Sequence, residues 1–599
     1  MLSLLIIIIT PTAINYEINI YTIYPWYFWM FIILSTFTGT LILLQSHISK
    51  LKNNYWILGF AAILMSNFIL LTLPVIRNYI IFGRGDILTH IGWMKNIVLN
   101  GSFGTDMYPN IHVLGTVIHY FSGITLENMS TLIFPVFSIF YILSFYLLYS
   151  EILKDKSNVV LAMVFSSIMV FGTSQTSFAP FNLSFFTIPI FIYLYVKEKA
   201  TKELNFKILL LIAVPFLLLF HPLTSLLLLI SMIIIEFSWY IHSKIVKSVK
   251  INRSDVEYSW KFSYILIAFF IAGLIIWKSY FYQIQNGLDT FYSFFLNGAS
   301  PNLSSTIAVA HKANLKDIIS SILFIYGNWI VIFIASLLSI YVLIKRNLFS
   351  IKLRSFKMFD IFLSLENYQI YSIIGFLFFS FISIFVYIKL PLFGFTRIIQ
   401  FSILFANFLI FSLFYLILKS RRRTLNFNKY IKIIVISIFL FPIICFSTFN
   451  LYLSPYTITP NEQVTASEIN GMETFFTYKD NKIPIFELGL SQYRFLAYVK
   501  GEEADQHGQD IYMANISNST RTAPIDHFGF NNNTSPGQYY NGTVYMIINS
   551  LGEESNPALY PGYENVWRFT PNDFLKLNES QQIMLIYNDG NLKIYEAKT

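Results

Sequence analysis

The chain has 599 residues, 55% hydrophobic, 18% aromatic and only 12% charged, which excludes a soluble globular protein and leaves a polytopic membrane protein with many runs near the ~20 residues that cross a bilayer. Its net charge of +9 divides unevenly, +17 over residues 1–449 and −8 over residues 450–599, so a basic membrane part precedes an acidic, water-facing segment. Nucleic-acid binding is excluded as a reading of that charge, because the basic residues flank apolar runs, and the single cysteine, Cys445, allows no intrachain disulfide.

In chain order, the apolar run 1–13 lacks a basic leader and is expected to be a first span. Further spans are predicted near 25–45, 55–76, 128–150, 158–177, 182–196, 206–220, 222–242, 262–281, 318–343, 369–389, 396–418 and 430–450, thirteen in all. Loops at alternate ends hold 24 basic residues on one side of the membrane part and eight on the other. The positive-inside rule makes the first side cytoplasmic. The N-terminus is then expected inside, and the connection after the third span and everything beyond residue 450 outside.

That connection, 83–123, holds Arg84, Asp86, His90, Lys95, Asp106, His112 and His119 between two apolar runs, and ionisable groups beside a bilayer are functional candidates by default. Read as a helix over 86–100, it sets Ile87, Ile91, Met94 and Val98 on one stripe and Asp86, His90 and Trp93 on the next, the pattern of a helix lying on the membrane surface. After a glycine break, Tyr108-Pro109 opens a second short helix ending at Gly123. Asp86 is expected as a helix N-cap or a catalytic base. His90, one turn on, can orient Asp86 or bind a phosphate or metal. Asp106 reads as a solvated loop carboxylate, and His112 and His119 share one face without a carboxylate at metal-ligand spacing.

The eight outer basic residues read either as snorkelling side chains or as a cradle for a lipid-borne phosphate. Arg84 and Arg397 are the best cradle candidates, with His221 at the break before Pro222 as a third contact. No phosphate-binding Gly-rich loop, zinc spacing or Gly-x-Ser-x-Gly elbow is present.

The tail, 451–599, is expected to form a small α+β domain. Residues 544–548 read as a strand, 570–577 as a capped helix, and 584–587 with 592–595 as a hairpin about Asn588-Asp589-Gly590. Six Asn-x-Ser/Thr sequences, at Asn515, Asn518, Asn532, Asn533, Asn541 and Asn578, fit an outer-face segment.

The order Arg84-Gly85-Asp86, helix, Tyr108-Pro109-Asn110-Ile111-His112 resembles the outer loop of the GT-C superfamily of integral-membrane glycosyltransferases. In that family an acidic loop residue is followed by two juxtamembrane helices, the second entered through a proline. The likeness covers about 40 residues closely and the layout loosely. Asp86 is followed by Ile87 and Leu88 where many members carry a second acid, and no Trp-Trp-Asp motif occurs in the tail.

The resemblance implies a GT-C-like transmembrane domain over 1–450 and an extracytoplasmic domain over 451–599. It further implies sugar transfer, with inversion, from a polyprenyl- or dolichyl-phosphate donor to a glycan, lipid or protein acceptor at the cell membrane. Asp86 and His90 would be catalytic, and Arg84, Tyr108, His112, His221 and Arg397 would bind substrate. A divalent metal ion is left open as a cofactor, with Asp86, His90 and His221 as the residues that would have to converge on it. The alternative class is a transporter, flippase or assembly factor for lipid-linked sugars, against which stands the scarcity of charge within the spans.

Overall fold

A computed structural model of the chain describes residues 2–248, 261–280, 314–350, 365–389, 394–419, 429–504, 528, 530, 536–539, 542–567 and 569–598. Its first helix, α1 (Leu2–Ile9), has eight residues. At 1.5 Å per residue that is about 12 Å, well short of a hydrocarbon core of about 30 Å, so the expected span over 1–13 is not formed. The chain continues through α2 (Trp26–Ile48), α3 (Tyr55–Ile76), β1 (Ile81–Phe82), α4 (Asp86–Asn100), α5 (Pro109–Ser122), α6 (Leu126–Leu153) and α7 (Lys156–Ser166). Next come α8 (Pro180–Phe186), α9 (Ile188–Thr201), α10 (Leu204–Phe220), α11 (Pro222–Ser248), α12 (Lys261–Tyr280), α13 (Leu315–Ser350), α14 (Asn367–Lys389), α15 (Phe395–Lys419) and α16 (Lys429–Phe449).

Among the described residues nine helical runs are long and apolar enough to cross a membrane, α8 and α9 counting as one run, Pro180–Thr201. Three shorter apolar helices, Lys156–Ser166, Leu204–Phe220 and Lys261–Trp277, join them. The span expected over 158–177 therefore stops early. Ser166 and Ser167 bond back to the carbonyls of Ala162 and Met163, and Gly172 then turns the chain at φ +56°.

The two helices predicted between the third and fourth expected spans form with the expected limits. Gly101 closes α4 at φ +68°, and α5 starts on Pro109 and closes on Gly123 at φ +70°, each residue supplying backbone geometry that ends or begins a helix. Among the described residues three apolar cores form, one of them inside the tail around Phe486, Met546 and Phe569. Another runs through the bundle around Phe145, Tyr149, Phe185 and Phe408. The third lies where α4 and α5 meet the tail and contains Ile87, Ile91, Met94, Phe495 and Leu496.

The tail continues with β2 (Gln463–Val464), α17 (Ala466–Tyr478), β3 (Ile485–Leu488), α18 (Gln492–Lys500), β4 (Val544–Asn549), α19 (Ser550–Leu559), α20 (Pro571–Glu579), β5 (Ile583–Asn588) and β6 (Leu592–Ala597). Its sheet has the order β3-β4-β6-β5, with β3 and β4 parallel and the other pairs antiparallel. The predicted hairpin is β5–β6, and the predicted capped helix is α20, whose Thr570 and Asp573 form a reciprocal cap. Of the six glycosylation sequences only Asn578 lies among the described residues, where its Oδ1 accepts the Tyr595 hydroxyl at 2.9 Å.

The tail is bound to one end of the bundle. β1 pairs antiparallel with β2, Ile81 opposite Val464. The segment after α1 is threaded into the same junction: Ala13 N–H donates to Arg77 O at 2.9 Å, the Tyr16 hydroxyl donates to Asn461 O at 2.8 Å, and Glu17 pairs with Arg77.

Candidate active site

The site is built around α4, which packs against both α5 and α18. Gly85, not Asp86, is the N-cap of α4, so Asp86 occupies the first helical turn, where the helix dipole favours a carboxylate. Its side chain is 59% exposed, and Oδ1 meets the Arg494 guanidinium at 2.5 Å. Arg494, on α18, also donates to Thr89 Oγ1 at 3.1 Å. Backbone contact makes this docking close. A Cβ at Gly92 would lie 2.0 Å from Ala497 O, so only glycine there lets α18 rest on α4 and bring Arg494 to Asp86.

One turn beyond Asp86, His90 is buried and joins a continuous array. His90 Nδ1 lies 2.9 Å from His112 Nε2, and His112 Nδ1 bonds to Asp106 Oδ2. Asp106 Oδ1 accepts the Tyr108 N–H at 2.8 Å, so the loop carboxylate expected in solvent is 4% exposed and points inward. Burial first, then His112, Arg494 and His221, hold the His90 imidazole well below the usual histidine range. His90 is therefore neutral at physiological pH.

Facing this array, Tyr108 stacks on His221 at 5.2 Å and 11°. His221 meets the Phe181 ring edge-on at 5.3 Å, and the Arg397 guanidinium lies 5.4 Å from the centre of the same ring. The helix-ending position of His221, before Pro222, directs it to the site. Burial and then Arg397 push the His221 imidazole down to about 3. Asn110 Nδ2 donates to Phe216 O at 2.6 Å, tying α5 to α10. An apolar cavity of about 620 Å3 is lined by Leu114 and Ile118 of α5, Phe137 of α6, Phe191 of α9, and Phe216 and Leu217 of α10.

The sequence-predicted residues separate into two sets. Asp86, His90, Tyr108, His112, His221 and Arg397 come together. Arg84 does not join them: its two terminal nitrogens meet both oxygens of Glu468 at 2.7 and 2.9 Å, one also donates to Gln463 O at 2.5 Å, and the guanidinium lies over Tyr16. A fork used in this way is not open to a phosphate. Lys95 is similarly held, 3.3 Å from Glu127 and over the Tyr498 ring, and His119 bonds Ile124 O at the end of α5. Arg397 has no carboxylate partner among the described residues.

Sequence reasoning missed Arg494 and undervalued Asp106. A six-residue spacing between Asp106 and His112 across a helix start was the only local signal for the latter. The metal expectation does not fit: among the described residues no three His, Cys, Asp or Glu side chains are gathered to hold an ion, and His90 Nδ1 and both His112 nitrogens are committed to hydrogen bonds.

A model for a family of unknown function (DUF6541) matches residues 75–347, and no curated protein matches the chain. Among solved structures, the chain is similar to the Archaeoglobus fulgidus oligosaccharyltransferase tethered to an acceptor peptide, at 13% identity over 83% of this chain and 69% of that one, with a TM-score of 0.45. It is also similar to ArnT from Cupriavidus metallidurans, at 8% identity over 90% of this chain. The apo form is covered to 97% with a TM-score of 0.42, and the form bound to undecaprenyl phosphate to 98% with a TM-score of 0.40. At TM-scores below 0.5 these likenesses carry no argument about activity.

Proposed function

We propose that this protein is a membrane glycosyltransferase that moves a sugar, with inversion, from a polyprenyl-phosphate donor to an acceptor hydroxyl or amide at the extracytoplasmic face of the cell membrane. One juxtaposition carries the reading. A carboxylate (Asp86), a neutral imidazole (His90) and a guanidinium (Arg494) gather where α4 meets α18, Arg397 lies against the Phe181 ring beside the Tyr108–His221 stack, and α5 and α10, which carry His112 and end at His221, line an apolar cavity. A lipid phosphate sugar has the matching parts, an anionic head that a guanidinium fork can bind and an apolar chain.

In this mechanism Arg397 and Arg494 stabilise charge on the departing lipid phosphate. Asp86 and His90, one helical turn apart, engage the acceptor group whose proton must leave as the glycosidic bond forms. The Tyr108–His221 stack is the wall against which the sugar is positioned.

The test is release of lipid phosphate and transfer of labelled sugar by the purified full chain. Turnover lost in Asp86→Asn, with unchanged thermal unfolding, supports the reading. Movement of lipid-linked sugar across vesicles without any bond cleavage would replace it with transport, and cysteine labelling from the cytoplasmic side at the tail would overturn the sidedness.

A further inference from the structure

Resting on the glycosyl-transfer reading, we propose that Asp106, His112 and His90 form a proton relay in which His90 Nε2 takes the acceptor's proton and the positive charge comes to rest on His112 beside Asp106. Asp106 and His112 are positioning residues that set the state of the imidazole that takes the acceptor's proton.

The argument is one of donors and acceptors. A carboxyl group is a far stronger acid than an imidazolium, so the hydrogen between Asp106 Oδ2 and His112 Nδ1 lies on the ring. In the proposed resting state both rings are neutral, so His112 Nε2 is bare and can only accept. His90 Nδ1, 2.9 Å away, must therefore donate, which leaves His90 Nε2 with a free lone pair. Among the described residues the hydrogen bond of the His90 ring is the one through Nδ1, and Nε2 makes none. Each tautomer follows from the one before it, and the first is set by a carboxylate.

Asp86 is less suited to the same task, being exposed and paired with Arg494. Its carboxylate, shared with the Arg494 guanidinium, is better placed to orient the acceptor. His90 alone would also be a poor proton acceptor, since burial, His112, Arg494 and His221 all disfavour its cation. The array removes that difficulty. As the acceptor O–H or N–H bond breaks and its proton joins His90 Nε2, the Nδ1 proton passes to His112 Nε2. The donor's C–O bond to phosphate breaks with the electron pair leaving on phosphate, while the acceptor atom bonds the anomeric carbon. The product array is neutral His90, imidazolium His112 and carboxylate Asp106, with the cation adjacent to the buried acid. The other groups that face the array are Tyr108 on the loop, His221 at the α10–α11 break and Arg397 on α15.

Two measurements test this on the full-length protein. In solid-state NMR of protein labelled with 15N-histidine, His90 assigned by its loss in His90→Gln should show a protonated Nδ1 and a bare Nε2 at neutral pH. A protonated Nε2 would overturn the relay whether or not the protein is a transferase. In the transfer assay, Asp106→Asn keeps a hydrogen-bond acceptor for His112 but removes the charge. It should lower kcat by about 10- to 100-fold with donor KM unchanged, and shift the acidic limb of the pH–rate profile to lower pH by about one unit, because the protonated array loses its counter-charge. Asp106→Glu should recover part of both. Loss of rate without movement of the limb indicates a structural role and overturns the relay. If Asp106→Asn does not fold, His112→Gln, which can bond His90 but cannot carry a proton, should lower kcat at least as far; wild-type kcat in that variant overturns the relay. No turnover by the wild type, with the bare Nε2 present, fails the transferase reading alone.

Discussion

The two ends of the helical bundle treat buried charge differently. At the end carrying the lysine-rich connections, every buried acid described has been given a cation: Glu151 meets Lys197 at 2.8 Å, Glu236 meets Lys199 at 3.1 Å together with the hydroxyls of Tyr195 and Ser263, and Glu198 meets Lys207 at 3.9 Å. At the junction with the tail, Glu17–Arg77, Glu468–Arg84 and Lys95–Glu127 follow the same rule. The site departs from it, since among the described residues Arg397 faces the Phe181 ring and no carboxylate, and Arg494 shares an exposed acid. Closed pairs serve the fold. A guanidinium without a carboxylate of its own, beside neutral imidazoles, is what an anionic ligand would complete.

That contrast can be broken at either side. The largest effect is expected on stability, from Arg84→Ala, because it leaves Glu468 buried without its cation at a cost of about 3–5 kcal/mol. Thermal unfolding in detergent should show this, as it should a smaller loss for Glu236→Gln at the other end, with donor KM unchanged in both where the protein remains folded. Arg397→Ala and Arg494→Ala should do the opposite. Each would keep its unfolding temperature and lose one charge-assisted bond to phosphate worth about 1.5–3 kcal/mol, or ~10- to 100-fold in kcat/KM for the donor, with lysine restoring only part. Equal losses from Arg84→Ala and Arg397→Ala in donor binding would erase the distinction between paired and unpaired cations.

Gly92→Ala sharpens the role of docking. The added methyl meets Ala497 O and must push α18 away, costing about 1–3 kcal/mol. Donor kcat/KM should fall in the direction of Arg494→Ala, and combining the two changes should add little. A pH-dependent effect concerns Glu487, just before α18, whose Oε2 accepts the Gln492 N–H. Burial raises its carboxyl from 4.5 to about 7. The folded chain thus holds a proton that the unfolded chain releases near 4.5, so this contribution to stability is full below about pH 4.5 and lost as pH rises to about 7. Glu487→Gln should flatten that part of an unfolding-temperature profile.

The legible parts of this protein were local. The limits of α4 and α5 follow from Gly101, Pro109 and Gly123, and the β5–β6 hairpin from Asn588-Asp589-Gly590, because these residues act on their own backbone and the apolar period does the rest. Most of the apolar runs likewise announced helices, since burial in a bilayer depends on composition over about 20 residues. The exceptions, α1 and α7, are runs of suitable composition whose ends are decided by length and by serine and glycine in the backbone.

Only the tertiary structure decided which charges meet. Arg84 and Arg397 look alike in the sequence, yet one found Glu468 in the tail and the other found Phe181. Arg494 reached Asp86 from roughly 400 residues away, and Asp106, a loop acid by its neighbours, became the end of a buried array once α5 had packed on α4. The physical reason is that helix limits are set by torsional preference within a few residues. The pairing of a charge is set by which surfaces pack together across long loops, and no local pattern records that.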